Sequence, residues 1–137
     1  MSKTFSLLFF LAISLTSLGQ SFDKGQINGI WKVKSITEKP TSPQFKPLIE
    51  GFKNASFDFN ENGDFKLSTS SPSELFGMIT QMTNGTKWLF EQNKQFIKIG
   101  NKDDGYSIMG ISVRQTSGKK LFHLDESGMT LEVEKIK

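Results

Sequence analysis

The dipeptide Asn62-Gly63 lies between two short runs of alternating apolar residues, Ala55, Phe57 and Phe59 before it and Phe65 and Leu67 after it. A period of two places such side chains on one face of a strand, and Asn-Gly favours the positive φ angles of a tight reversal. This stretch is therefore committed to an antiparallel β-hairpin. The pattern recurs along the chain. Strand-like segments are expected at residues 27–38, 54–60, 64–70, 86–91, 95–101, 106–115, 119–125 and 129–136. Turn-forming groups such as Gln92-Asn93-Lys94, Lys102-Asp103-Asp104-Gly105, Thr116-Ser117-Gly118 and Glu126-Ser127-Gly128 separate them. Short strands spaced this regularly predict an all-β barrel or sandwich.

Two connections break the rhythm. Residues 39–53 mix Pro40, Pro43 and Pro47 with apolar Phe45, Leu48, Ile49 and Phe52, too apolar a set for a solvated linker. Residues 71–85 carry the one helix that the sequence predicts, with Ser71 as N-cap, Pro72 as first residue and Glu74 as the acidic member of a capping box. Leu75, Ile79 and Met82 follow at helical spacing with Phe76 beside them, and Gly85 closes the helix.

If consecutive strands pair as a meander, alternate connections lie at the same end of a barrel. Both long segments then cap one mouth, and tight turns close the other end. Binding surfaces tend to sit on elaborated loops held by a rigid scaffold, so Phe45, Leu48, Phe52, Phe76, Ile79 and Met82 form the candidate ligand-binding set. Trp88 and Tyr106, at the starts of two strands expected to descend from that mouth, join it as rim residues with a ring face and a polar tip. A plain packing role, in which the same residues plug the barrel end, accounts for their spacing equally well.

Ahead of the strands, Met1-Ser2-Lys3-Thr4 brings a positive charge, residues 5–15 are almost wholly apolar, and Ser17-Leu18-Gly19 places small residues in front of Gln20. That is the three-part layout of a signal peptide over residues 1–19, with an apolar run too short to span a bilayer. Residues 20–137 are then expected to form one domain, secreted or periplasmic, with no cysteine to carry a lipid anchor or a disulfide. Loss of Lys3 takes the 17 basic side chains to 16 against 14 acidic ones, and the net charge from +3 to +2. The lysines are scattered, and the only adjacent pair is Lys119-Lys120. A nucleic-acid binder shows clustered basic residues interleaved with aromatics, so that class is set aside.

Catalytic and metal-binding patterns are also weak. Asp58 to Gly63 matches the first half of a calcium loop, but Thr69 stands where the bidentate glutamate belongs, and a hairpin explains the same residues. One histidine and no cysteine make a poor zinc site. Ser107 and Ser112 lack the Gly-x-Ser-x-Gly turn of a hydrolase nucleophile, and His123 is expected to be a solvated residue sharing a strand face with Asp125. No enzyme activity, cofactor or metal is expected.

Gly29-Ile30-Trp31, opening the first strand, resembles the start of the lipocalin superfamily, where a glycine, one residue and a tryptophan close the barrel floor. The chain looks most similar to small secreted bacterial lipocalin-like proteins, through the Asn62-Gly63 hairpin, the entry Gly85-Thr86-Lys87-Trp88 to a middle strand, and the alternating half from Tyr106 to Val133. The likeness covers essentially all of residues 20–137. It implies an eight-stranded antiparallel up-and-down β-barrel, lipocalin-like, with one short capping helix. Lipocalins usually set an arginine near the last strand against the floor tryptophan, whereas Lys135 stands in that region here. The sole arginine, Arg114, is late in the sixth strand, and the meander brings it to the closed end, so it is read either as an ordinary surface arginine or as a guanidinium placed over Trp31.

The expected function is binding of a small, largely apolar molecule at the loop-capped mouth, by a monomer with no membrane anchor once the leader is removed. The alternative is a barrel filled by its own side chains that serves as a protein-interaction or cell-envelope structural module. Eight strands suit either, because such a barrel has room for packed side chains or for one small ligand.

Overall fold

The hairpin forms in the expected register, with Phe57 opposite Leu67 and Phe59 opposite Phe65. The Asn60 side chain accepts from the backbone N–H of Asn62, and the Asn62 side chain accepts from that of Asp64. The Asn60 and Asn62 side-chain oxygens thus serve the turn itself. Around the hairpin, the computed structural model describes residues 21–137, and the leader expected over 1–19 lies outside the described residues. A short helix α1 (Lys24–Ile27) precedes β1 (Gly29–Glu38), and α2 (Lys46–Lys53) links β1 to β2 (Ala55–Phe59) and β3 (Phe65–Thr69). Helix α3 (Glu74–Thr83) then leads to β4 (Lys87–Glu91), β5 (Phe96–Gly100), β6 (Met109–Thr116), β7 (Lys119–Leu124) and β8 (Thr130–Lys135).

The strands make one antiparallel sheet in the order β3-β2-β1-β8-β7-β6-β5-β4. That is a meander whose last strand returns to the first, and it closes almost completely into a barrel. Between β3 and β4 the seam is short. It consists of a bridge between Asp64 and Lys87, bonds from Phe65 N to Thr86 O and from Trp88 N to Gly63 O, both 3.0 Å, and a bond from Leu67 N to the Asn84 side chain at 2.8 Å. Beyond Leu67 the helix α3 covers β3 instead of a strand.

Inward-facing residues fill the barrel. Phe57 stacks on Phe59 with ring centroids 6.3 Å apart and meets Phe122 edge-on at 5.6 Å, while Phe59 contacts Phe65 and Trp88, each at 5.4 Å. All are buried, in a single core cluster with Ile97, Ile99, Ile111, Leu131 and Val133. At the closed end, Trp31 lies against Phe22 and Phe122, and its indole N–H donates to Ile27 O at 2.7 Å. Gly29 reaches this corner with φ +135°, and a Cβ there would sit 2.3 Å from Lys137 O. Only glycine fits both the angle and the space.

Several expectations need correction. The proline-rich connection is not helix-free: α2 forms in it, and α1 adds a further turn, so the capping helix is not alone. Proline is tolerated in a first turn because the N–H it lacks has no partner there, and Pro47 occupies that position in α2. Strand one begins at Gly29 rather than at residue 27, because the Asp23 side chain caps α1 and Ile27 is its last residue. The cap of α3 is Ser73, whose hydroxyl accepts from Phe76 N at 3.1 Å, and not Ser71. Of the two readings of Arg114 the surface one holds, since it is exposed, and the cation over Trp31 is Lys120, with Nζ 5.8 Å from the ring centroid. Lys135 secures the floor differently, by donating to the carbonyls of Gln26 at 3.0 Å and Gly25 at 3.4 Å.

Candidate functional site

Both long connections meet at the same mouth. Phe52 of α2 and Phe76 of α3 pack edge to face with centroids 4.9 Å apart, and Gly51 permits that approach, since a Cβ on it would stand 2.3 Å from Phe76 Cδ2. The missing side chain is what lets two lid helices share one surface. Helix α2 presents Leu48 and Phe52, one turn apart, toward the barrel, and α3 presents Phe76 and Thr83.

Beside this contact the helices leave a cleft of about 190 Å³. Phe45, Leu48, Phe52, Ile79 and Met82 line it, five of the eight residues that the sequence singles out. Phe76 is 1% exposed and acts as the wedge between the helices, outside the lining. Trp88 is also outside: it is buried against Phe59, and its indole N–H donates to Asn60 O at 2.8 Å beside the Asn62-Gly63 turn. The register explains this: Lys87 bridges Asp64 at the foot of β3, so β4 starts low and not at the rim. Tyr106 is half-buried in the β5–β6 connection, with φ +56°, and β6 begins three residues later at Met109.

Apart from Thr83 at the end of α3, the remaining lining comes from residues of the β5–β6 and β7–β8 regions that the candidate set leaves out. Ile108 and Met109 contribute from the start of β6, Leu124 from the end of β7, and Glu126 and Ser127 from the β7–β8 turn. The meander places both of these connections at the mouth, so their apolar residues were a usable signal. Polar atoms are few and mostly engaged. The buried Thr83 hydroxyl donates to Ile79 O at 2.9 Å, Glu126 accepts from Gly110 N at 3.2 Å, and the Ser127 hydroxyl accepts from Met129 N at 3.3 Å. That hydroxyl retains its proton for a further bond. The cleft is thus an apolar hollow with one polar edge.

Two roomier hollows lie on the outer wall, one of about 360 Å³ at the β3–β4 seam around Asp58, Asp64 and Lys66, the other of about 320 Å³ around Ser112, Arg114 and His123. Both mix charged and amide side chains with apolar surface. The mouth is where apolar surface is gathered in a concave site. No protein family, curated protein or solved structure matches the chain.

Proposed function

We propose that this protein is a secreted, lipocalin-like barrel that binds a small, largely apolar molecule in the cleft beneath its two mouth helices. The observation that carries the reading is the convergence of Phe45, Leu48, Phe52, Ile79 and Met82, from two separate connections, on one hollow. Lipocalin kinship draws support from Gly29 and Trp31 at the floor and from the meander in which β8 returns to β1. The leader pattern of residues 1–19 supports export.

Size narrows the ligand. A cavity of about 150 Å³ accommodates a single benzene ring, while drug-sized sites run from about 300 Å³ upward. At about 190 Å³, the cleft suits a one-ring or short-chain compound. Its polar end, if it has one, belongs at Glu126 and Ser127. A longer hydrophobe requires α3 to lift.

The test is native mass spectrometry of protein purified from its natural export route, with titration of small aromatic hydrophobes. The expected result is a co-purifying apolar molecule or saturable binding, weakened about tenfold or more by Met82→Glu, which sets a charge at the rim where the side chain is 57% exposed and folding is little affected. An empty protein with no saturable response contradicts the reading. The second reading, a filled barrel that engages another protein, is favoured by the aromatic interior and by Leu75, Met78 and Met82 exposed along α3. It predicts binding to a protein partner that the same Met82→Glu change disrupts, with no small-molecule response.

A further inference from the structure

The outer wall carries a polar constellation that the mouth does not use. Ser112 of β6 is the cross-strand neighbour of His123 on β7, and His123 is that of Thr130 on β8, which in turn pairs with Glu38 of β1. Two irregularities in the β1–β8 ladder, at Val33/Ser35 and Ile36/Glu38, produce the last pairing. The first turns Ile36 toward the core, and the second returns Glu38 to the outer face opposite Thr130. Register shifts of this kind re-aim side chains.

The hydrogen bonds define a tautomer. Thr130 is 1% exposed, and its Oγ1 lies 2.6 Å from Glu38 Oε1 and 2.8 Å from His123 Nδ1. A hydroxyl has one proton and a carboxylate only accepts, so Thr130 donates to Glu38. The contact with His123 then requires the proton on Nδ1, with Thr130 Oγ1 as acceptor. Nε2 of a neutral His123 therefore carries a lone pair, and it gains a proton only when the ring becomes cationic.

His123 borders the groove of about 320 Å³, together with Ser112, Arg114, Lys94 and the Glu38 carboxylate. Ser112 and Arg114 are two residues apart and so share one face of β6, next to the His123 ring. The other charges nearby are accounted for. Lys94 is 3.6 Å from Glu91, Glu132 is 3.7 Å from Lys34, and Asp125 follows β7 at the mouth side of His123. Among the described residues, Arg114 makes no ion pair. Its guanidinium offers a planar fork of donors suited to carboxylate or phosphate oxygens.

We propose that this groove binds an oxyanion, the carboxylate or phosphate group of a small ligand, between Arg114, Ser112 and His123, and that binding takes up a proton on His123 Nε2. The Glu38–Thr130 relay enforces the coupling, since it denies the neutral ring an N–H to offer the anion. Glu38 is a positioning residue in this scheme: its carboxylate also borders the groove, but it is engaged by the Thr130 hydroxyl and acts on the ligand by fixing the His123 tautomer. The site is independent of the mouth cleft.

The only histidine in the chain provides an unambiguous reporter. The experiment follows the His123 ring by 1H–15N NMR, in protein produced from the full-length chain, during separate titrations with sulfate, inorganic phosphate and acetate at constant ionic strength. It is run at about pH 5.5 and about pH 8, on either side of the range in which histidine changes charge. Sulfate keeps the same charge at both, which separates protonation of the protein from that of the ligand. Saturable shifts are expected at the lower pH and binding about tenfold weaker at the higher one. Arg114→Gln is expected to weaken binding about tenfold, and Glu38→Ala to flatten the pH dependence, because Thr130 is then free to donate to Nδ1 and leave an N–H on Nε2. Stronger response to acetate assigns a carboxylate ligand, and stronger response to phosphate and sulfate assigns a phosphate-like one. Absence of a saturable shift with all three anions, equal binding at both pH values, or indifference to Arg114→Gln overturns the proposal. Glu38 and Arg114 are exposed, so these variants test binding and not folding.

Discussion

At the floor of the barrel, Trp31 is fixed from several directions: its indole N–H is bonded to Ile27 O, Lys120 covers one face, and Phe22 and Phe122 press on its rings. At the mouth, α2 and α3 touch through Phe52 and Phe76 while Met78 and Met82 remain 58% and 57% exposed. Both ends bury aromatic rings, but only the floor also ties them by hydrogen bonds to the backbone. Cooperative stability is expected to be concentrated in the floor and walls, and local opening in the helices above, where apolar packing holds the lid with a few hydrogen bonds at the helix ends, such as that from the Thr69 hydroxyl to Gly51 O at 2.6 Å. A scaffold divided in this way can host binding at its mouth without risk to its fold.

Removal of a wall aromatic tests that division most severely. Phe57 is fully buried among Phe52, Phe59, Phe65 and Phe122, so Phe57→Ala is expected to cost about 3–5 kcal/mol in denaturant unfolding. A loss below about 1 kcal/mol shows that the interior is loosely packed, and the contrast between wall and lid then disappears. The two tightly placed glycines sharpen the comparison. Gly29→Ala forces a side chain into a positive-φ position against Lys137 O, with an expected global loss of about 1–3 kcal/mol. Gly51→Ala drives a methyl into the Phe76 ring, a comparable local cost of about 1–3 kcal/mol. Hydrogen exchange separates the two. The Gly29 variant is expected to lose protection in the walls and the Gly51 variant in α2 and α3 alone, and uniform loss in both contradicts the two-part description.

The smallest effect lies at the seam. Asp64 is held below its ordinary carboxylate value of 3.8, first by the hydrogen bond from Lys87 and further by the charge of that lysine and a hydrogen bond from Asn62, against a partial desolvation that acts the other way. A depressed folded-state value means that the stabilisation is present above 3.8 and fades as pH falls through the lower value. The pair is exposed, so the contribution is slight. Lys87→Met is expected to lower stability slightly at neutral pH and to match the parent protein in strong acid. A difference that persists unchanged into acid removes Asp64 as its source.

Much of this architecture was legible in the chain because its signals are local. Period-two alternation and Asn62-Gly63 specify strands and turns without knowledge of the tertiary fold, and the meander then places both long connections at one end. What escaped depends on contacts distant in sequence. Helix α2 was hidden because three prolines suggest irregular chain, although Pro47 in a first turn followed by Leu48 and Phe52 one turn apart is compatible with a helix. The position of Trp88 depends on barrel stagger, which alternation does not encode. Arg114 and Lys120 fall on opposite faces of neighbouring strands, and the end of the barrel they share says nothing about which of them meets Trp31. The cleft residues were found as a class, while its β-turn edge at Glu126 and Ser127 was not, since two polar residues in a turn carry no sign of facing a cavity.

The central claim is that the apolar hollow under α2 and α3 takes up a small hydrophobic molecule. Methyl-labelled methionine tests it most directly, because Met82 and Met109 line the cleft whereas Met78 lies outside the lining on the exposed side of α3. Titration with a one-ring hydrophobe is predicted to move the Met82 and Met109 methyl signals saturably and together, with Met78 and the Trp31 indole N–H unchanged. Signals that stay fixed at Met82 and Met109, or a response confined to Met78, would contradict the account.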